Sequence, residues 1–166
     1  MLEDRTKKLL KKAGWYEGRK IDITKQVEYL EKAGYEVFEA ARNFMEEFGE
    51  LTIRAKYIGF QEKESYDEHS TKYDELSFYC EDCDNYDEKA GEKTIPICEL
   101  FKGEFVVCIS ESGNFFIDQG IRAEGSDNFW NGILGEYKCG FLDWEDYKAG
   151  KELKRSIYIY KNYIVD

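Results

Sequence analysis

Apolar residues recur at helical spacing through the first fifty positions and then switch to alternation, so a helical opening precedes a strand-rich body. Leu2, Thr6, Leu9, Leu10 and Ala13 form one stripe, and Gly14 stands where a left-handed residue stops a helix. Asp22 or Thr24 is placed to cap a second helix that turns Val27, Leu30 and Ala33 inward and ends at Gly34. In the third helix Val37, Ala41, Phe44 and Phe48 follow at steps of four, three and four before Gly49.

Beyond Gly49 the period becomes two: Leu51, Ile53, Ala55 and Tyr57 alternate with Thr52, Arg54 and Lys56, which marks a first strand. Thr94 to Phe101, Glu104 to Ser110 and Asn114 to Asp118 are further β-rich runs, joined by Lys102-Gly103 and Ser112-Gly113 as tight hairpin turns. Ser126 to Tyr137 has a helical face of Phe129, Trp130, Ile133 and Leu134, with Ser126 or Asp127 as its cap. Ile157 to Tyr160 alternates Ile and Tyr in the manner of an added edge strand, and a strand over Leu76 to Cys80 is a further candidate. Helices first and a meander of strands afterwards predict an α+β fold: N-terminal helices on a mainly antiparallel sheet, one further helix, and a C-terminal extension over 139–166. One domain is expected over residues 1–166, since a chain of this length buries roughly 70% of its unfolded surface.

Charge changes the picture more than composition does. The chain carries a net −11, and Gln61 to Glu88 alone holds eleven carboxylates against two lysines, a balance of −9 in 28 residues. The other 138 residues carry 24 acids and 22 bases, so the acidity is regional. This block reads as an acidic insertion over 61–91 that interrupts the sheet as a loop, with Tyr66, Tyr73, Phe78, Tyr79 and Tyr86 interleaved as rigid contact area. Such a field recruits a basic protein and argues against direct nucleic-acid binding, which needs clustered Lys and Arg. The longest strictly apolar run is Phe105 to Ile109, too short to span a membrane. Five cysteines with no export signal favour reduced thiols and a cytoplasmic location.

The order Ala13-Gly14-Trp15-Tyr16-Glu17-Gly18-Arg19-Lys20-Ile21-Asp22-Ile23, then Phe38-Glu39-Ala40-Ala41, then Glu47-Phe48-Gly49-Glu50-Leu51-Thr52-Ile53 resembles the third group of the SUKH superfamily, bacterial immunity proteins against polymorphic toxins. Ile95-Pro96-Ile97, the hairpin from Phe105 to Asp118 and the helix from Ser126 stand where that family has its later strands and closing helix. The resemblance covers residues 2–60 and 92–137 and leaves the acidic block aside. Cys98 stands where the family often has Gly, and Glu50 replaces the second Gly after the third helix. The resemblance implies a binding protein and no enzyme: stoichiometric inhibition of a cognate toxin, such as a nuclease or nucleic-acid deaminase. An intracellular protein or peptide recognition module without a toxin is the alternative.

Within the block, Asp82, Asp84, Tyr86, Asp87 and Glu88 are the candidate partner contacts, because charge and an aromatic anchor coincide there. Cys80-x-x-Cys83 has the spacing of half a zinc site and makes a small zinc-binding protein a third reading. It has no second such pair, and Cys98 and Cys108 lie in apolar strand runs, so no metal or other cofactor is expected. His69, the single histidine, reads as an exposed residue in a polar loop, with no nucleophile motif around it. Trp15 is expected to seal the first helix against the second, and Arg19 to pair with a carboxylate or cover an apolar face with its stem.

Overall fold

The computed structural model describes residues 1–73, 85–136, 140–154 and 162–165. Three helices come first: α1 (Asp4–Lys12), α2 (Thr24–Lys32) and α3 (Glu39–Phe48). Helix α1 buries Leu9 and Leu10 and α3 buries Ala41, Phe44 and Phe48 as their spacing selects, whereas α2 buries Leu30 alone, with Val27 half-buried and Ala33, expected inward, exposed just past the helix end. Asp22 Oδ1 accepts from the Thr24 N–H at 3.0 Å and the Thr24 hydroxyl at 2.6 Å, fixing the entry to α2 from just outside the helix. Gly49 is required sterically, since a Cβ there would lie 2.4 Å from the Met45 carbonyl oxygen.

Seven strands follow among the described residues: β1 (Thr52–Ile58), β2 (Glu64–Ser70), β3 (Thr94–Leu100), β4 (Phe105–Ser110), β5 (Asn114–Ile117), β6 (Gly120–Glu124) and β7 (Leu142–Asp143). They lie in the sheet in chain order, and every neighbouring pair is antiparallel. The fold is α+β, with the predicted turns at Lys102-Gly103 and Ser112-Gly113 joining β3 to β4 and β4 to β5. Pro96 is accommodated next to a register shift between Pro96 and Cys98, where the ladder is already broken.

The stretch Glu64–Ser70 is not loop: β2 pairs with β1 from Thr52↔Ser70 to Ile58↔Glu64. Its inward positions include two buried polar side chains that take specific partners. Asp67 accepts from the Tyr163 hydroxyl at 2.6 Å, and His69 Nδ1 accepts from the Phe101 N–H at 3.1 Å. His69 is therefore completely buried rather than exposed, with its ring edge-on to Phe101 at 4.8 Å. Because Nδ1 accepts, the ring proton is assigned to Nε2.

Helix α5 (Ser126–Leu134) starts from Gly125, and neither Ser126 nor Asp127 makes the capping bond expected of it. The first core lies between the sheet and α1, α3 and α5. Phe44 sits 5.4 Å from Phe48, 5.5 Å from Phe115 and 6.1 Å from Trp130, while Phe115 stacks on Phe129 at 4.4 Å. The opposite face of the sheet carries Cys108, Phe116 and Ile121, covered by two short helices, α4 (Tyr86–Ala90) and α6 (Trp144–Lys148). Phe116 stacks on Trp144 at 5.1 Å with 14° between the planes. Residues 162–165 return to the outer edge of β1, where Tyr163 bridges Tyr57 and the Ile164 N–H donates to the Lys56 carbonyl at 2.7 Å. The predicted strands at Leu76 to Cys80 and Ile157 to Tyr160, and Tyr137, lie outside the described residues.

Candidate partner-binding surface

The acidic block separates into parts with different duties. On the solvent face of β2, Glu68 pairs with Arg54 at 2.7 Å and Glu64 with Lys56 at 3.3 Å, both across to β1. Cross-strand pairs of this kind hold register and contribute little net charge. Tyr66 lies between them, with the Arg54 guanidinium 4.8 Å and the Lys102 ammonium 4.0 Å from its ring centroid. Much of the charge in residues 64–68 is thus committed within the chain.

Of the five candidate contacts, Asp82 and Asp84 lie outside the described residues. The other three share α4 and separate by role. Tyr86 is 1% exposed, its ring 5.8 Å from Trp144, so this aromatic anchors the helix to its own sheet and presents no surface to a partner. Asp87 Oδ1 accepts from both the N–H (2.8 Å) and the hydroxyl (2.7 Å) of Thr94, tying α4 to the start of β3. Glu88 is exposed and makes no ion pair among the described residues. Glu88 is therefore carried on an α4 that Tyr86 and Asp87 clamp. Sequence alone missed the Trp144 that completes this clamp, because the only signal is one aromatic behind a capping aspartate: Asp143 accepts from the Asp146 N–H at 2.8 Å.

Cys80 and Cys83 also lie outside the described residues. Cys98 faces the helical core and Cys108 the opposite face, so the two cannot share one ion. Burial pushes the Cys98 thiol well above its ordinary range, with Glu99 adding to the effect, which makes it an inert small hydrophobe. Among the described residues no group of three or more His, Cys, Asp or Glu side chains is arranged to hold a metal ion.

Trp15 and Arg19 lock the chain after α1 onto the end of α3. Trp15 stacks on Phe48 of α3 at 6.3 Å and 8°, and its Nε1–H donates to Glu47 Oε1 at 3.3 Å. The indole seals α1 against α3, not α2. Arg19 does not take a carboxylate as its hydrogen-bond partner but donates from Nη1 to the Glu47 carbonyl at 2.6 Å, where a helix C-terminus welcomes a cation. The Ile21 N–H likewise donates to the Glu46 carbonyl at 2.9 Å. Glu50 then takes a left-handed φ of 60°, and its Oε1 accepts from Gln26 Nε2 at 2.8 Å. A carboxylate that bridges to α2 thus stands where the resembled family has a glycine.

Three N-terminal helices and a later one packed on a seven-stranded antiparallel meander define an α+β scaffold. The chain belongs to the SUKH-3 immunity protein family, whose model matches residues 2–136. The match runs through the acidic block and closes just after α5, so β7, α6 and residues 162–165 lie beyond it. No curated protein and no solved structure compared with the chain matches it. Among the described residues, no helix is long and apolar enough to cross a membrane.

Proposed function

We propose that this chain neutralises a basic bacterial toxin, a nuclease or nucleic-acid deaminase, by binding it one to one in the cytoplasm without turnover. The observation that carries the reading is that nine of the eleven net negative charges fall within residues 61–88 of an immunity-family scaffold. An enzyme that acts on nucleic acid displays cations in its cleft, and an acidic inhibitor competes for them and is steered towards them. Asp82, Asp84 and Glu88 are the proposed contacts, with Asp87 and Tyr86 holding α4 in place. The chain itself contacts no nucleic acid in this reading.

The test reverses charge at Asp82, Asp84 and Glu88 together and leaves Asp87 intact, since its bonds to Thr94 are structural. Stopped-flow mixing with the purified toxin domain encoded by the neighbouring reading frame should show association slowed about tenfold at low salt, with a flatter salt dependence. Unchanged affinity and unchanged salt dependence would overturn the assignment of these contacts.

A further inference from the structure

The β1–β2 hairpin runs on past the rest of the sheet. β3 ends at Leu100, and the Lys102 N–H reaches back to the Glu68 carbonyl at 2.8 Å. Past that bond β2 continues alone with β1. The Gly59 N–H donates to the Lys63 carbonyl and the Ile164 N–H to the Lys56 carbonyl, which sets the parity of the ladder. Tyr66 and Glu64, opposite Lys56 and Ile58, therefore point their N–H and C=O groups away from β1. Among the described residues these groups meet no partner. A cleft of 380 Å³ lined by Tyr66, Phe101, Lys102, Glu104 and Phe105 opens beside them.

At the tip of the hairpin Ile58 is 56% and Phe60 89% exposed. Gln61 and Glu62, neither of them glycine, hold left-handed φ values of 60° and 56°. Stability alone favours a glycine or asparagine turn without an exposed aromatic, so strain and exposure together mark a displayed side chain. Glu62 in the turn and Glu104 on the cleft wall are both exposed and carry no ion pair among the described residues. The chain then enters residues 74–84, which contain five acids and no base.

We propose that this hairpin is the element the toxin grips. An extended toxin segment bearing Lys and Arg adds to β2 as the next strand, Phe60 and Ile58 enter an apolar depression beside it, and Glu62 and Glu104 meet its cations. Charge decides between occupants: a second copy docking edge to edge would set Glu62 and Glu104 against their own equivalents, whereas a basic strand complements them. The inference rests on the immunity reading and specifies its interface.

Titration calorimetry with the purified toxin domain of the neighbouring reading frame compares wild type, Phe60→Ala and Glu64→Pro. Phe60 touches no core, and proline at residue 64, the first position of the strand, removes an outward N–H together with the exposed Glu64–Lys56 ion pair, which adds little to stability. Both variants should melt with the wild type. Phe60→Ala is expected to weaken binding about 30-fold and Glu64→Pro about tenfold. If the wild type binds and either variant stays within about twofold of it, the hairpin is not the interface, and the immunity reading stands. If the wild type neither binds nor protects cells from the toxin, the immunity reading itself fails. Sedimentation of the chain alone supplies the remaining outcome: a dimer abolished by Phe60→Ala assigns the edge to a second copy and overturns the proposal.

Discussion

Glu47 holds two partners at once, and its carboxylate is the group that burial disfavours. Its backbone carbonyl takes Arg19, its side chain takes the Trp15 indole N–H, and burial pushes its pKa up despite the indole bond and the nearby guanidinium. A carboxyl whose folded pKa is raised binds its proton more tightly in the native state than in the unfolded one. Stability therefore falls as pH rises from the ordinary carboxylate range, near 4.5, through the raised folded value, and above it the cost is fully present. Glu47→Gln keeps an acceptor for Trp15 and removes the charge. Thermal melts should place the variant above wild type by about 2 °C at pH 7, a small gain because the group is only partly buried. The gap should close towards pH 4.5, and a gap that is flat with pH would assign the gain to something other than this ionisation.

The least conspicuous elements, α4 and α6, do the work of a second core. Phe116 is fully buried only because Trp144 and Tyr147 lie on it, and Trp144 also donates from Nε1 to the Asp118 carbonyl at 2.8 Å. Trp144→Ala should cost about 2–3 kcal/mol in denaturant unfolding, below the ~3–5 kcal/mol of a fully enclosed aromatic because Trp144 is itself half-buried. It should also loosen Tyr86 and with it α4, so hydrogen exchange at residues 86–90 should quicken. These elements explain which parts of the fold were legible. α1, α3, β1 and β4 carry long apolar periods and read directly. β2 hid because Ser65, Asp67 and His69 alternate correctly but are polar, and the partners that pay for their burial, Tyr163 and Phe101, are remote in sequence. α4 and α6 hid because five residues are too few to show a helical period. The site was legible as a charge asymmetry and illegible in detail, since Tyr86 and Glu88 look alike as surface candidates until packing separates them.

Taken whole, the sequence is nearly charge-balanced outside residues 61–88, and the self-repulsion of that stretch opposes folding while steering encounter. Raising ionic strength from about 20 mM to about 300 mM shortens the screening length from roughly 20 Å to roughly 6 Å. The chain alone should then melt higher by a few degrees while its association with the toxin slows about tenfold, two opposite responses to one variable. Concordant responses would mean that regional charge governs neither. The contact between Tyr163 and Asp67 adds a matter of timing. The β1–β2, β3–β4, β4–β5 and β5–β6 hairpins close over short turns, but this hydroxyl meets its carboxylate across 96 residues. At a synthesis rate of about 5–20 residues per second, β2 leaves the ribosome roughly 5–20 s ahead of Tyr163. For that interval Asp67 waits inside the hairpin without its donor and the outer edge of β1 is uncovered, so a nascent chain stalled before residue 162 exposes an edge that the finished protein does not.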